Sequence, residues 1–220
     1  IDLSNLGVGE FSSLGSLTYI SDLQNYFIEG FVDANGDGNL EIVLSEYDAS
    51  TDDYNILIYD YVNDAPVQTY VSNVYGSDFG ETVIFGDFNG DGRKDFAITA
   101  PEHNINDDGG AIFIYLNSFS GFNASPDVTI YGDYDAQIGY WGNIINLGDI
   151  NGDGRDEIGF SDAGYDYGEW IFWGKPSFLA TYDMTLSNTK LSHFTKIEDG
   201  NFLFDLVNLG DVNGDGFNDL

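Results

Sequence analysis

Four short segments of the chain carry oxygen-bearing side chains at one fixed spacing. Each reads Asp-x-Asn-Gly-Asp-Gly-x-x-Asp/Glu, which places carboxylate or amide oxygens at positions 1, 3, 5 and 9. Calcium is a hard cation that takes about 6–8 oxygen ligands, and the main-chain carbonyl at position 7 can join these side chains. The glycines permit the backbone angles that are needed to wrap a chain around an ion. We therefore predict three to four Ca²⁺ ions, with these ligand sets: Asp33, Asn35, Asp37, the Asn39 carbonyl and Glu41; Asp87, Asn89, Asp91, the Arg93 carbonyl and Asp95; Asp149, Asn151, Asp153, the Arg155 carbonyl and Glu157; Asp211, Asn213, Asp215, the Phe217 carbonyl and Asp219.

Two other kinds of loop share part of this pattern. An EF-hand needs a bidentate Glu at position 12 and flanking helices, whereas position 12 is Leu44, Ile98 or Phe160 in the first three segments, so the EF-hand is excluded. An acidic hairpin turn without metal is the second alternative, since Asp-Gly and Asn-Gly pairs also build such turns. The acid at position 9 in every copy favours metal binding, because a bare turn does not require it.

The composition excludes several classes of protein. Six Lys and Arg residues stand against 38 Asp and Glu residues, and the net charge of −32 would repel nucleic acid phosphates and anionic lipids. A hydrophobic fraction of 42% argues against disorder. The absence of cysteine excludes disulfides and, with only two histidines in the chain, disfavours a zinc site. No apolar run reaches the roughly 20 residues of a membrane-spanning helix.

The loops recur with a period of roughly 60 residues, which suits a four-stranded unit. Short runs rich in β-branched and aromatic residues flank each loop, as in 96–100, 111–116 and 127–131, and we predict them to be strands. The fold class is predicted to be all-β, with β-propeller blades of four antiparallel strands, about three and a half blades and the calcium loops in the blade hairpins. We expect one region over residues 1–220, with units at 26–78, 79–137 and 138–200 and partial units at 1–25 and 201–220.

One unit resembles a known repeat family in detail. Phe79-Gly80, then Gly86 to Asp95, then Thr99-Ala100-Pro101 follow the order of the FG-GAP repeats of integrin alpha-subunit propellers and their bacterial relatives, and 110–115 is similar to the third strand of that family. The resemblance implies calcium ions in the hairpins of successive blades, on one face of the propeller, as structural supports. Because propellers of this family commonly have seven blades, we expect further blades from a longer chain or an assembly of several chains.

These observations lead to three hypotheses about function. The first is a calcium-stabilised module outside the cell or at its surface, which serves adhesion, binding or surface structure without catalysis and has a protein or glycan ligand. The second is a carbohydrate-binding or polysaccharide-processing module, because an aromatic-rich stretch could stack on sugars: Tyr134, Tyr140, Trp141, Tyr165, Tyr167, Trp170 and Trp173. The third is a self-assembling filament or surface-layer subunit. We interpret Trp170 and Trp173 as core residues between blades.

No arrangement of residues that is typical of an enzyme stands out from the loops. His103 could act as an acid or base, but we expect a solvated loop histidine, and His193 has no recognisable neighbours. Asn123, in Asn-Ala-Ser, is a candidate glycosylation acceptor with a following proline that disfavours it. We therefore predict a non-catalytic protein.

Overall fold

The computed structural model describes residues 26–63, 65–103, 109–134, 136–140, 144–164, 168–176, 182–185, 194–196 and 207–220. In these ranges the regular secondary structure consists of β-strands, and no α-helix occurs among them. The strands are β1 (Tyr26–Val32), β2 (Glu41–Asp48), β3 (Asp53–Asp60), β4 (Ala65–Tyr70), β5 (Val83–Gly86), β6 (Asp95–Ala100), β7 (Ala111–Tyr115), β8 (Val128–Tyr131), β9 (Ile144–Gly148), β10 (Glu157–Asp162), β11 (Gly168–Phe172), β12 (Tyr182–Thr185) and β13 (Phe194–Lys196).

The strands form three sheets that follow one another along the chain. Strands β1 to β4 pair in sequence order as an antiparallel sheet, which is the first blade, and β5 to β8 repeat that order in the second blade. The third blade has the order β9-β10-β11-β13, also antiparallel. The predicted all-β class and the four-stranded antiparallel blades are confirmed.

One strand departs from the four-strand plan. After β11 the chain leaves the third blade, and β12 pairs in parallel with β8 at the outer edge of the second blade, with Tyr182 opposite Val128. The chain then returns, and β13 completes the third blade beside β11. The sequence did not predict β12 or β13, and β12 makes the second sheet five-stranded.

Apolar side chains fill the space between the first and second blades. Val43, Ile56 and Ile58 of the first blade join one buried cluster with Phe96 and Ile98 of the second. Alternate residues of a strand point to opposite faces of its sheet. Phe96 and Ile98 therefore face the first blade.

A second apolar cluster fills the space between the second and third blades. Ile112 and Ile114 of β7 pack there with Ile158 and Phe160 of β10, and Phe88 joins them from the loop before β6. Because the second blade is covered on both faces, all six residues of β6 are buried. Burial on both faces explains why the strands of the second blade are nearly continuous runs of apolar residues in the sequence.

A buried carboxylate joins the first two blades at the end opposite the predicted calcium loops. Asp53 is the first residue of β3, and its Oδ1 accepts hydrogen bonds from the Ser77 backbone N–H (3.0 Å), the Ser77 hydroxyl (2.8 Å) and the Phe79 N–H (3.0 Å). The Phe79 carbonyl in turn accepts from the Tyr54 N–H at 2.8 Å. Gly80 follows at φ +87°, and its N–H donates to the Thr99 carbonyl. The Phe-Gly pair thus fixes the entry of the chain into the second blade.

Candidate metal centre

The first three predicted loops occupy equivalent places in the fold. They connect the first and second strands of their blades, namely β1 to β2, β5 to β6 and β9 to β10. The fourth is closed by a bridge between Gly210 and Asp219. Because the three blades share one strand order, these three hairpins lie at the same end of their sheets. Leu44, Ile98 and Phe160 lie within β2, β6 and β10, in agreement with the exclusion of an EF-hand.

Each loop is closed around the carboxylate at position 1. Its two oxygens accept hydrogen bonds from the N–H groups of the glycines at positions 4 and 6, with N···O distances of 2.6 to 3.0 Å in all four loops. These glycines have φ between +76° and +93°, a left-handed conformation that other residues adopt at a cost. The Asn at position 3 accepts from the N–H of position 5, and the Asp at position 5 accepts from the N–H of position 7. The four loops therefore share one conformation.

The carboxylate at position 9 is the buried member of the first three predicted sets. Asp95 and Glu157 are fully buried and Glu41 nearly so. Each accepts a hydrogen bond from the N–H of position 2, as Asp95 does from Phe88 at 2.9 Å. Burial, reinforced by the charges at positions 1 and 5, raises the pKa of Asp95 to about 8 and that of Glu157 to about 7.

Little positive charge balances these carboxylates. Each loop holds three carboxylates of the predicted ligand set, and Arg155 forms an ion pair with Asp153 at 2.6 Å. Among the described residues, no three or more His, Cys, Asp or Glu side chains converge closely enough to hold a metal ion. The carboxylates instead accept hydrogen bonds from N–H groups of their own loops. The convergence of each predicted ligand set on one ion therefore stays a prediction.

Asn117 is a contributor to this region that the sequence analysis did not single out. It lies just after β7 and is buried; its backbone N–H donates to Asp95 Oδ1 at 2.8 Å, and its side-chain Nδ2 donates to the Asp33 carbonyl at 2.8 Å. It therefore links the ninth position of the second loop to the first position of the first loop. No local pattern marks it, because its role depends on contacts far along the chain.

The prediction for His103 is wrong. The residue is only 5% exposed, and its ring lies against Phe113 and is stacked on Tyr131 at a centroid distance of 5.9 Å. Burial lowers the pKa of His103, and the charge of Asp53 partly offsets this effect. The polar residues next to His103 in the sequence suggested that it is solvated. Strands of its own blade bury it instead.

The aromatic-rich stretch does not behave as one surface. Tyr134 is 70% exposed, Trp170 is half-buried against the cluster between the second and third blades, and Trp173 donates its indole N–H to Thr195 Oγ1 at 2.9 Å. Trp170 thus has the predicted core position, whereas Trp173 reaches the outer strand β13. Trp141, Tyr165, Tyr167 and His193 lie outside the described residues. Asn123 is exposed, and its Nδ2 donates to Asp127.

Within the described ranges the chain has no helix that is long and apolar enough to cross a membrane.

Comparison with known proteins supports the resemblance. Residues 79–115, which span Phe79, the second loop and β5 to β7, match the FG-GAP repeat model. The chain is 26% identical to Integrin alpha-4 of Xenopus laevis over 188 residues, which is 74% of this chain and 18% of that protein. It is 26% identical to Integrin alpha-PS3 of Drosophila melanogaster over 196 residues (87% and 17%) and 32% identical to Integrin alpha-6 of Homo sapiens over 108 residues (48% and 9%).

The chain spans less than a fifth of the length of these curated relatives. The matched repeat lies where the sequence predicted it, and its strands and hairpin are those of a propeller blade. Residues 79–115 of the chain thus match the FG-GAP repeat, and the chain is similar to integrin alpha proteins over 74% and 87% of its length in two of these comparisons.

Proposed function

We propose that the chain is a calcium-stabilised β-propeller module that works outside the cell or at its surface, in adhesion, and without catalysis. The observation that carries the calcium part is the buried carboxylate at position 9. Asp95 and Glu157 are withdrawn from water beside two further carboxylates of their own loops. A buried charge requires a partner of opposite sign. A bound dication would supply it.

The donor chemistry of the loops fits calcium. Every predicted ligand atom is an oxygen, and each loop offers three carboxylates, one amide and one main-chain carbonyl. Calcium accepts such mixed sets in flexible geometry, whereas magnesium requires a near-ideal octahedron and keeps several waters. Loops that are exposed at the surface and closed by their own N–H groups can adjust to the larger ion. The residues present are therefore suited to calcium, with three to four ions in all.

The adhesive and extracellular parts of the proposal rest on the relatives. The three compared proteins are named integrin alpha, and this chain matches a small share of each, so its partner is proposed only as a protein or glycan of the cell surface or matrix. Weak calcium sites fill where calcium is abundant, which favours the outside of cells.

The contacts of the buried polar groups support the non-catalytic part of the proposal. Asp53 accepts three hydrogen bonds that join two blades, and Glu169 accepts the Ser161 hydroxyl across neighbouring strands at 3.0 Å. His103 is buried beneath aromatic rings. These groups serve packing.

The test measures binding and stability together. Calorimetric titration of the chelator-treated protein should detect calcium at three to four sites, and thermal unfolding should shift upward with calcium. One site contributes about 2.7 kcal/mol when calcium is at 100 times its dissociation constant. Asp91→Asn replaces one predicted carboxylate ligand with a neutral amide and should weaken one site. Asp52→Asn removes the same charge in an exposed turn and should leave all sites unchanged.

Two results would overturn the proposal. No heat of calcium binding, together with unfolding that is insensitive to a chelator, would show that the loops are acidic turns. Cleavage of any member of a polysaccharide panel would refute the non-catalytic assignment. Binding to immobilised matrix glycoproteins that requires calcium would support the adhesive role, whereas binding to polysaccharides alone would favour the carbohydrate alternative.

A further inference from the structure

The residue at position 7 of a loop lies on the preceding loop. In three successive pairs, its side chain packs over the glycine at position 4 of the loop before. A Cβ atom added to Gly36 would lie 3.3 Å from Nη1 of Arg93, and one added to Gly90 would lie 2.8 Å from Cγ of Arg155. A Cβ at Gly152 would overlap the ring of Phe217. The contact recurs although the side chain changes from arginine to phenylalanine, so the position rather than the chemistry is maintained.

A backbone contact accompanies the side-chain contact. The N–H of position 8 donates to the carbonyl of position 1 in the preceding loop, from Asp156 to Asp87 at 2.9 Å and from Asn218 to Asp149 at 3.2 Å. Asp87 and Asp149 are the first predicted ligands of their loops. In the first pair the Nδ2 of Asn117 donates to the Asp33 carbonyl instead.

The two contacts join the predicted ligands of one loop to those of the next. The residue at position 7 takes part in both loops. Its carbonyl is a predicted ligand of its own loop, and its side chain covers the glycine at position 4 of the preceding loop. That glycine donates to the carboxylate at position 1, as Gly90 does to Asp87 at 2.8 Å. An ion that orders the backbone at position 7 therefore also orders the glycine N–H at position 4 of the preceding loop. This N–H donates to the carboxylate at position 1 of that loop.

We propose that the four loops are coupled in series, and that Arg93, Arg155 and Phe217 are positioning residues for the loops that precede them. Cation binding at one loop then raises the cation affinity of its neighbours in the chain of loops. This proposal rests on the proposed function, since it concerns the same calcium. Coupling is reciprocal, so each loop of a pair changes the affinity of the other by the same factor. Loops that share no contact, such as the first and the fourth, are coupled only through those between them.

Site-resolved calcium titration tests the coupling. The amide signals of the glycines at position 6 give one NMR reporter for each loop: Gly38, Gly92, Gly154 and Gly216. Asp91→Asn, which removes one ligand charge and so weakens calcium binding at the second loop, should also weaken calcium binding at Gly38 by about 5-fold or more, in the range typical of coupled sites. Asp37→Asn, which likewise removes one ligand charge from the first loop, should weaken calcium binding at Gly92 by the same factor.

A second set of variants tests the positioning role itself. Phe217→Ala should weaken calcium binding at the third loop, reported by Gly154, by about 5-fold, and Phe217→Tyr should restore it, because the ring over Gly152 is retained. Leu209→Ala is the matched control, since it truncates another exposed apolar side chain of the same segment. Arg93→Ala repeats the test on the first loop, which keeps the proposal falsifiable if a Phe217 variant fails to fold.

The outcomes separate the two proposals. If no reporter shifts with calcium, both the calcium assignment and the coupling are refuted. If all four reporters titrate, and neither Asp91→Asn nor Phe217→Ala changes a neighbouring loop by more than about twofold, calcium binding stands and the coupling is refuted. The coupling is supported if Asp91→Asn and Asp37→Asn weaken calcium binding at the neighbouring loop by equal factors, and if Phe217→Tyr restores the binding that Phe217→Ala weakens.

Discussion

Asp53 offers a sharp test of how the first two blades are joined. Its Oδ1 accepts three donors, two from Ser77 and one from the Phe79 N–H, and all three are buried. Asp53→Ala leaves these donors without their acceptor, and a buried unsatisfied donor costs about 1–3 kcal/mol. Partial access of water reduces the total, so we expect a loss of about 3–5 kcal/mol in the free energy of unfolding. Asp53→Asn keeps the accepting oxygen and should lose about 1 kcal/mol.

Urea unfolding at fixed calcium, followed by tryptophan fluorescence, measures this difference. A loss of about 4 kcal/mol corresponds to a fall of about 8–16 °C in Tm for a domain of this size, so thermal scans provide an independent check. Asp52→Asn serves as the control, since it removes a charge from the adjacent, exposed residue. Equal stability of Asp53→Ala and Asp53→Asn, within about 0.5 kcal/mol, would refute the reasoning.

Three further predictions concern packing and pH. Because burial lowers the pKa of His103, this side chain takes up a proton first in the unfolded chain as the pH falls, so the contribution of His103 to stability should decrease below about pH 6.5. His103→Gln should flatten that part of a pH series of urea midpoints, and an unchanged profile would exclude the residue as its cause. Gly80→Ala should cost about 2–4 kcal/mol in thermal unfolding, since its φ is +87° and a Cβ would lie 2.7 Å from Cβ of Tyr54. Gly76→Ala, at φ +61° in open space, should cost only about 1–2 kcal/mol, and equal losses would contradict the clash. Phe88→Ala should cost about 3–5 kcal/mol by chemical denaturation, because it opens a cavity between the second and third blades, and a loss below about 1 kcal/mol would contradict that packing.

Local patterns predicted the blades well. The run 111–116 became β7 at Ala111–Tyr115, and the run 127–131 became β8 at Val128–Tyr131, because β-branched and aromatic residues bounded by turn residues determine such strands over short distances. The loop positions also followed from sequence, since the glycines and carboxylates that close each loop lie within nine residues of one another.

Long-range contacts account for what was missed. The burial of His103 depends on Phe113 and Tyr131, and the link through Asn117 depends on Asp33. Neither contact produces a recognisable sequence pattern around His103 or Asn117. The metal ligand sets are intermediate: their residues were evident, but the sequence cannot state whether the oxygens converge.

The parallel pairing of β12 with β8 has a consequence for the order of folding. Its two strands belong to different repeats, and β9, β10 and β11 lie between them in the chain. Hairpins within a blade close short loops and can form early, whereas a non-local parallel pair must wait for the chain between its strands to become compact. We expect the outer edge of the second blade to be completed only after the third blade has begun to assemble. Folding of these two repeats is therefore expected to be a joint event, with β12 as its late step.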